Sequence, residues 1–404
     1  MAQLGSAPAL GAGGREFESR LPDHREVLRR CIRNGEGLQA GGSPEYRWPM
    51  ATIEVTGVLQ KRAWEDKVLP PVEQVRPGLW SIPVPMPDNP LRYVLVYVFE
   101  TGTGLVMVDA GWNTDEAWQA LNNGLQQAGG SITDVEAVLV THIHPDHYGL
   151  AGRVREASGA WIGLHPADAV LLESRYSETT ELIEKMTELL EASGVPLDKR
   201  PDLANASMEV RGLVFTAQPD VLFEDGQKFT FGGWDLSTIW TPGHSPGHVC
   251  LWSDQHRLLL SGDHVLPRIT SNISVHSQQF PNPLGDFLAS LTKIGAFSPD
   301  EVLPAHEYRF KNLSVRIDHL IAHHEERLIE ILQLLAVRPT TAWDLTCRLT
   351  WSRPFDQIQD FMQRAANGET LAHLVLLEER QLVIRSEGHP FLFACTDAGR
   401  KLAS

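Results

Sequence analysis

Residues 138–148, Val138-Leu-Val-Thr-His-Ile-His-Pro-Asp-His-Tyr148, set an apolar run directly before three imidazoles and a carboxylate: His142, His144, Asp146 and His147. The run reads as a buried strand. A loop leaving a rigid strand can aim alternate side chains at one point, and imidazole with carboxylate is a ligand set that zinc and related borderline ions prefer. The cluster therefore reads as a metal site rather than as solvated surface histidines.

Three further segments end in the same kind of residue. His244 lies in Thr241-Pro-Gly-His-Ser-Pro-Gly-His248, Asp263 in Leu260-Ser-Gly-Asp-His264 and His306 in Val302-Leu-Pro-Ala-His-Glu307, each after a short apolar, strand-like run. Separated strands that all end in a potential ligand are expected of a site built at one edge of a sheet scaffold, where loops converge. Upstream, Leu105-Val-Met-Val-Asp-Ala-Gly111 is one more strand ending in a carboxylate, Asp109. Other histidines have plainer readings. His165 and His248 could support the ligands from behind, although satisfied structural histidines are the simpler account. His264 directly follows Asp263 and points to the opposite side of an extended segment. Tyr148 either reaches substrate or begins a helix across 149–157. His319, His323 and His324 read as a solvated helix face.

Along the chain, strand patterns at 79–84, 93–99 and 105–108 and a helical one at 115–128 precede the ligand strand, the alternation of a layered α/β domain. Residues 166–217 form an insertion with helical patterns at 167–175 and 179–192, read as a lid or substrate wall because of where it leaves the sheet. The irregular stretch 267–283 offers Arg268, Asn272 and His276 as substrate contacts. A long helix over 313–335, a second capped by Thr340 or Thr341, a third over 354–379 and a hairpin of 382–385 with 391–394 complete the chain. Residues 1–49 lack sustained apolar periodicity and are expected to be disordered or loosely attached. They also read as an untranslated extension: Phe17-Glu-Ser-Arg20 matches one reading frame of a transfer-RNA T-arm, and Met50 opens a credible start.

The 404 residues, 42% of them hydrophobic, are enough for two or three domains with ample core. No apolar run approaches the roughly 20 residues that cross a bilayer, and no signal-peptide core is visible, which gives a cytoplasmic reading. Cys31, Cys250, Cys347 and Cys395 are widely spaced and form no metal or redox pair, so reduced thiols are expected. The formal charge of −16 repels polyanions. Residues 327–404 carry nine Lys/Arg against nine Asp/Glu, which lacks the basic footprint of a nucleic-acid reader.

The order of these segments resembles that of the metallo-β-lactamase-fold hydrolases, over about residues 75–310. The resemblance implies a four-layer αββα sandwich with two metals at one edge. His142, His144 and His244 would hold the first metal, Asp146, His147 and His306 the second, and Asp263 would bridge them with Asp109 behind. Two Zn2+ are the first choice, with Fe or Mn suited to similar ligands. Two such cations can share a hydroxide, polarise an electrophile and stabilise the leaving oxygen, with Asp146 steering the hydroxide and Asp263 completing the catalytic pair. The domain organisation expected is a catalytic domain over 50–312 and a helical linker with a winged-helix-like domain over 313–404. That tail is similar to the tail of lactamase-β-like proteins. It is read as a packing, dimerisation or pocket-forming element, so the expected partners are a small molecule and a second copy of the chain, with no membrane.

The leading activity is hydrolysis of a small-molecule thioester, ester or lactone. The resemblance also keeps open a metal-dependent ribonuclease or phosphodiesterase, and a mononuclear iron oxygenase like the persulfide dioxygenases, which share His-x-His-x-Asp-His. Glyoxalase II is similar through the motif but has a different tail, and an exported β-lactamase is not expected. One departure stands out: Pro-Ala-His306-Glu replaces the family's Pro-Gly-His-Gly, so Ala305 and Glu307 stand where glycines would give backbone freedom.

Overall fold

Tyr93–Glu100 is buried at every position but its last. In this computed structural model, which describes residues 52–404 apart from 178, 207 and 359, that strand is covered on both faces. Val94, Val96 and Val98 enter one core, while Tyr93, Leu95, Tyr97 and Phe99 enter another. Burial on both sides removes the polar alternation a half-exposed strand would show. The expectations for residues 1–49 lie outside the described residues.

Two seven-stranded sheets meet across the second of these cores. The described chain begins with β1 (Glu54–Val55), which joins the second sheet. The first sheet runs β2 (Glu73–Arg76), β3 (Leu79–Pro85), β4 (Tyr93–Glu100), β5 (Leu105–Val108), β6 (Val135–Leu139), β7 (Trp161–Leu164), β8 (Val221–Leu222). Neighbours are antiparallel from β2 to β5 and parallel from β5 to β8. In the second sheet, β9 (Lys228–Phe231), β10 (Trp234–Trp240), β11 (Val249–Ser253), β12 (Leu258–Gly262), β13 (Glu301–Pro304) and β14 (Phe310–Lys311) lie side by side, with β1 beyond β14. Only β12 and β13 pair in parallel there.

Helices close the outer faces. After α1 (Val58–Asp66), α2 (Asp115–Gln127) begins at Thr114, whose side chain accepts the Ala117 N–H, with Asp115 and Glu116 in its first turn. Ala117, Leu121 and Leu125 of α2 cover the first sheet, helped by Ala151 and Val154 of α4 (Ala151–Ser158), which follows the short α3 (Pro145–Tyr148). The result is the four-layer αββα arrangement that the sequence led us to expect.

The insertion is helical, as expected, but its first pattern is broken. In place of one helix over 167–175 there are α5 (Pro166–Ala169) and α6 (Leu172–Tyr176). Asp168 accepts the Ile143 N–H at 2.8 Å and the Tyr176 hydroxyl donates to the Ile143 carbonyl at 2.6 Å. Eight residues of straight helix span about 12 Å, so a single rod could not bring both side chains to Ile143. Beyond them, α7 (Thr180–Ala192) and α8 (Arg200–Asn205) bury Met186, Leu190 and Leu203 against Trp343. The Trp343 and Phe391 N–H groups also bond Ser193 and Ala192 carbonyls, both at 2.9 Å. The insertion is thus fastened to the C-terminal region.

That region shares its core with the second sheet. α9 (Pro283–Ile294) and α10 (Leu313–Val337) pack Phe287, Leu291, Ile317 and Leu320 against Ile239, Trp252 and Val302, and the same cluster continues to Leu374 and Phe393. Each fully buried Leu or Phe contributes about 2 kcal/mol. α11 (Ala342–Arg348), α12 (Asp360–Glu379), β15 (Val383–Arg385), β16 (Phe393–Cys395) and α13 (Asp397–Ala403) follow. The expected helix over 354–379 is a 3-10 turn, Phe355–Gln357, and then α12. One expectation is corrected: His324 is buried rather than on a solvated face, with Nδ1 3.2 Å from His373 Nε2 and its ring against Phe287. It sits on the stripe Ile317, Leu320, His324, Leu328, Ile331, which faces inward. None of the described helices is long and apolar enough to cross a membrane.

Candidate metal centre

Strand ends deliver every predicted residue to one edge of the sandwich. Asp109 follows β5, the 141–147 loop follows β6, the 241–248 loop follows β10, Asp263 follows β12 and His306 follows β13. In layered α/β folds the space beyond carboxyl ends of strands is where sites form. Pro145 opens α3 directly after His144, which is still extended. His142 and His144 therefore project from extended chain, and Asp146 and His147 from the first helical turn. Gly262 breaks the register of β12 with φ +49°, and a Cβ there would lie 2.7 Å from His248 Nε2. No other residue lets Asp263 come so close.

Three overlapping trios result. His142, His144 and His244 bring one nitrogen each to a common point, an oxygen of Asp146 joins nitrogens of His147 and His306 beside them, and His142, His147 and Asp263 form a third group linking the two. His142 Nε2 lies 2.9 Å from His144 Nδ1. Asp263 stands between the first two: its Oδ2 is 3.5 Å from His244 Nε2, and its Oδ1 is 3.6 Å from His147 Nε2 and 3.3 Å from His306 Nε2. Asp146 Oδ2 is 3.2 Å from His306 Nε2 and 3.5 Å from His147 Nε2.

Each ring is aimed from behind. His147 Nδ1 pairs with Asp109 Oδ2 at 2.8 Å, His306 Nδ1–H donates to the Tyr93 carbonyl at 2.8 Å, and His244 Nδ1–H donates to the Asn272 carbonyl at 3.0 Å. This leaves Nε2 of all three turned inward, the arrangement that metal-binding histidines use. Asp109, held at φ +63°, also takes the Thr141 N–H at 2.8 Å and so ties β5 to the ligand loop.

The donor set fits metal ions. Nε2 of His147, His244 and His306 and Oδ1 of Asp263 are buried without a hydrogen-bond partner, an arrangement native proteins otherwise avoid. Burial works against charge throughout. At His142 and His144 burial and the neighbouring imidazoles together hold the rings well below the usual histidine range. At His306 burial is outweighed by Asp263 and Asp146, which push it up to about 10. Burial would raise Asp146 and Asp263, yet the facing His147 and His306 hold both far below ordinary carboxylates. The two ionised carboxylates draw positive charge to this spot, supplied here by the His147 and His306 rings and, with those rings neutral, supplied by bound metal ions.

Several supports were not read from the sequence. Asp168, fully buried, accepts from the Ile143 N–H, the Ser245 hydroxyl at 2.8 Å and the Gly247 N–H at 2.7 Å, clamping the two histidine loops together. His248 is structural: Nδ1 meets Thr241 Oγ1 at 2.8 Å and Nε2 accepts the Asp263 N–H at 3.1 Å. His165 stacks on Trp240 and accepts the Ala167 N–H. His264 is buried against Phe287, away from the trios. The Tyr148 hydroxyl donates to the Ala217 carbonyl and accepts the Ala217 N–H, so it faces the insertion and not the site.

Glu307 explains the departure at Pro-Ala-His-Glu. It adopts φ +68°, as the family's glycine would, and its buried carboxylate accepts Arg268 N–H at 3.1 Å, Ile269 N–H at 3.3 Å and Arg268 Nε at 3.0 Å. The side chain offsets the strain by pinning the loop after Asp263. Arg268, expected to touch substrate, joins this pair through Nε, with its side chain still largely exposed. Glu307→Ala keeps the strained backbone and orphans two partly buried N–H groups, so it should cost about 1 to 3 kcal/mol. Denaturant titration checks this, and an unchanged midpoint would remove the anchoring role.

The comparisons agree with the geometry. Residues 89–306 match the model of the Metallo-beta-lactamase superfamily. The "Probable metallo-hydrolase YqjP" of Bacillus subtilis is 26% identical over 299 residues, covering 72% of this chain and 89% of the relative. The crystal structure of a metallo-beta-lactamase family protein from Thermus thermophilus superposes with a TM-score of 0.70 at 30% identity, covering 80% of this chain and all of that one. A beta-lactamase domain protein from Burkholderia ambifaria gives 0.71 at 25% identity, with coverage of 85% and 98%. With more than half of its length inside the family model and the His/Asp edge in place, this chain belongs to the metallo-beta-lactamase superfamily of hydrolases.

Proposed function

We propose that the chain is a dinuclear metal-dependent hydrolase of a small-molecule thioester, ester or lactone. The observation that carries it is the pair of side-chain trios with Asp263 facing both. His142, His144 and His244 would hold one ion and Asp146, His147 and His306 the other, with Asp263 shared between them. Two such ions, zinc before iron or manganese, lower the pKa of a bound water to about 7 and polarise the bond to be cut. The chain's own work is to fix the geometry through Asp109, Tyr93 and Asn272, and to set Asp146 where it can accept a proton from an attacking water. Support for a small substrate comes from the charge of −16 and the electrically neutral C-terminal region, both adverse to nucleic acid. The winged-helix-like tail then serves packing, pocket formation or homo-oligomerisation, and reduced Cys250, Cys347 and Cys395 suit a cytoplasmic enzyme.

Elemental analysis of the purified protein, paired with thioester, lactone and bis-phosphodiester reporters with and without chelator, tests the proposal. About two metal ions per chain with chelator-sensitive thioester or lactone hydrolysis is the expected result. A single iron without hydrolysis would replace it with an oxygenase, and cleavage of the phosphodiester alone with a nuclease or phosphodiesterase.

A further inference from the structure

Next to the loops that carry His144 and His244, one cluster of side chains is cationic, in a chain whose net charge is −16. Arg175 comes from α6, His276 from the loop after Asp263 and Arg364 from α12. They are fixed to one another and to the metal residues by a continuous set of hydrogen bonds. Arg175 Nη1 donates to Gln278 Oε1 at 3.1 Å, Gln278 Nε2 donates to Ser174 Oγ at 2.9 Å, and the Gln278 N–H reaches His276 Nδ1 at 3.2 Å. On one side this loop holds the ligand segment: Asn272 O accepts His244 Nδ1–H, and Gln279 Nε2 donates to the Gly243 carbonyl at 3.0 Å. On the other side it lies on α12, where the Val275 N–H bonds the Gly368 carbonyl at 3.0 Å and Ser274 Oγ donates to the Ala365 carbonyl at 3.2 Å. Arg364, the next residue, donates to the Leu203 carbonyl of α8 at 3.3 Å.

Among the described residues no carboxylate lies within ion-pair distance of Arg175, which is only partly exposed; it meets Gln278 and Tyr176, with the buried Asp168 acting on it only at longer range. The positive field is felt locally. After burial, Arg175 and Arg364 are the largest influences lowering His276, to about 3. His276 therefore offers a neutral ring, with charge supplied by the guanidinium groups. A partly desolvated guanidinium costs free energy that an arriving anion would offset.

We propose that Arg175, with His276 and Arg364 beside it, forms a subsite for a carboxylate or phosphate group of the substrate, next to the metal residues. The proposal deepens the hydrolase reading and rests on it for substrate class: an ester, thioester or lactone that carries a separate ionised group. Arg175 supplies the planar pair of donors that such a group prefers.

The test uses metal-loaded protein. Calorimetric titration with glutarate and with inorganic phosphate is run on wild type, Arg175→Met and Arg175→Lys, with metal content measured alongside. Because the metal centre itself attracts anions, the difference between variants is the reading. Arg175→Met should weaken at least one anion by about tenfold to a hundredfold at unchanged metal content, and Arg175→Lys by less. The anion that loses affinity identifies the group. Matched p-nitrophenyl esters with and without a terminal carboxylate or phosphate form the second arm. The preference for the charged ester should collapse towards unity in Arg175→Met. Equal affinities in all three proteins, or no anion binding by wild type, would overturn the subsite. A neutral ester turned over with no preference for its charged partners would likewise overturn it, with the hydrolase reading intact. Arg175-dependent anion binding without hydrolysis of any ester would support the subsite and remove the hydrolase reading.

Discussion

Asp146→Ala should lower kcat/KM on the order of 1000-fold while leaving the chain folded, with only a limited loss of stability. Asp146 faces His147 and His306 inside the pocket and has no part in the three main cores. Loss of a positioned group that handles a proton in the transition state costs about 100- to 10000-fold. Stability is a separate matter. In chelator-treated protein, loss of the carboxylate that faces the buried His147 and His306 is only partly offset by relief of its repulsion with Asp263, so the unfolding free energy should fall by about 1 to 3 kcal/mol. Chelation matters because bound metal would otherwise add its own stabilisation to the melting curve. Steady-state kinetics and thermal melts on the same preparation give both numbers. Full activity in Asp146→Ala would sink the proposed mechanism.

The largest stability effect is expected at Asp168. Its carboxylate satisfies the Ile143 N–H, the Gly247 N–H and the Ser245 hydroxyl, all buried. Asp168→Ala strands all three donors at about 1 to 3 kcal/mol each, so a loss of about 3 to 5 kcal/mol and a melting point lower by about 10 °C should follow. Metal affinity should fall with it, since the clamp joins the loop of His142 and His144 to the loop of His244. Burial holds the Asp168 carboxyl above the usual range despite its three hydrogen bonds. The negative charge itself therefore contributes little, and Asp168→Asn, which keeps one acceptor oxygen, should lose less than half as much. Equal losses in the two variants would mean that charge, and not hydrogen bonding, secures the clamp.

The contrast between these two aspartates explains what the sequence could convey. Asp146 was legible because it shares one short segment after a strand with His142, His144 and His147, although its other partner, His306, is distant in sequence. Asp168 was not, because its partners are 25, 77 and 79 residues away, and in His-Pro-Ala-Asp it looks like any acid in a first helical turn. Glu307 was visible as a departure, but its carboxylate's use depends on the Arg268 loop folding back over it. His324 was readable: its spacing from Leu320 and Leu328 places it on the inner stripe, and the polar neighbours Glu325 and Glu326 obscured that period. α9 was also within reach, with Asn282 as cap, Pro283 in the first turn and Leu284, Phe287, Leu291 and Ile294 on one face. A layered α/β domain was legible because central strands such as Tyr93–Glu100 are buried on two faces, which leaves long apolar runs, whereas the αββα stacking was implied by the resemblance in segment order.

Gly368 touches the loop after Asp263 closely enough that a Cβ would lie 2.9 Å from that of Ser274. The loop that orients His244 through Asn272 therefore rests on a second stretch of sequence, residues 360–379, outside the 109–306 that carries the candidate ligands. Changes in the second stretch can shift that loop with every candidate ligand unaltered. Such a division lets descent with modification vary selectivity at constant chemistry: α12 is the place to look for divergence between relatives that share the same histidines and aspartates.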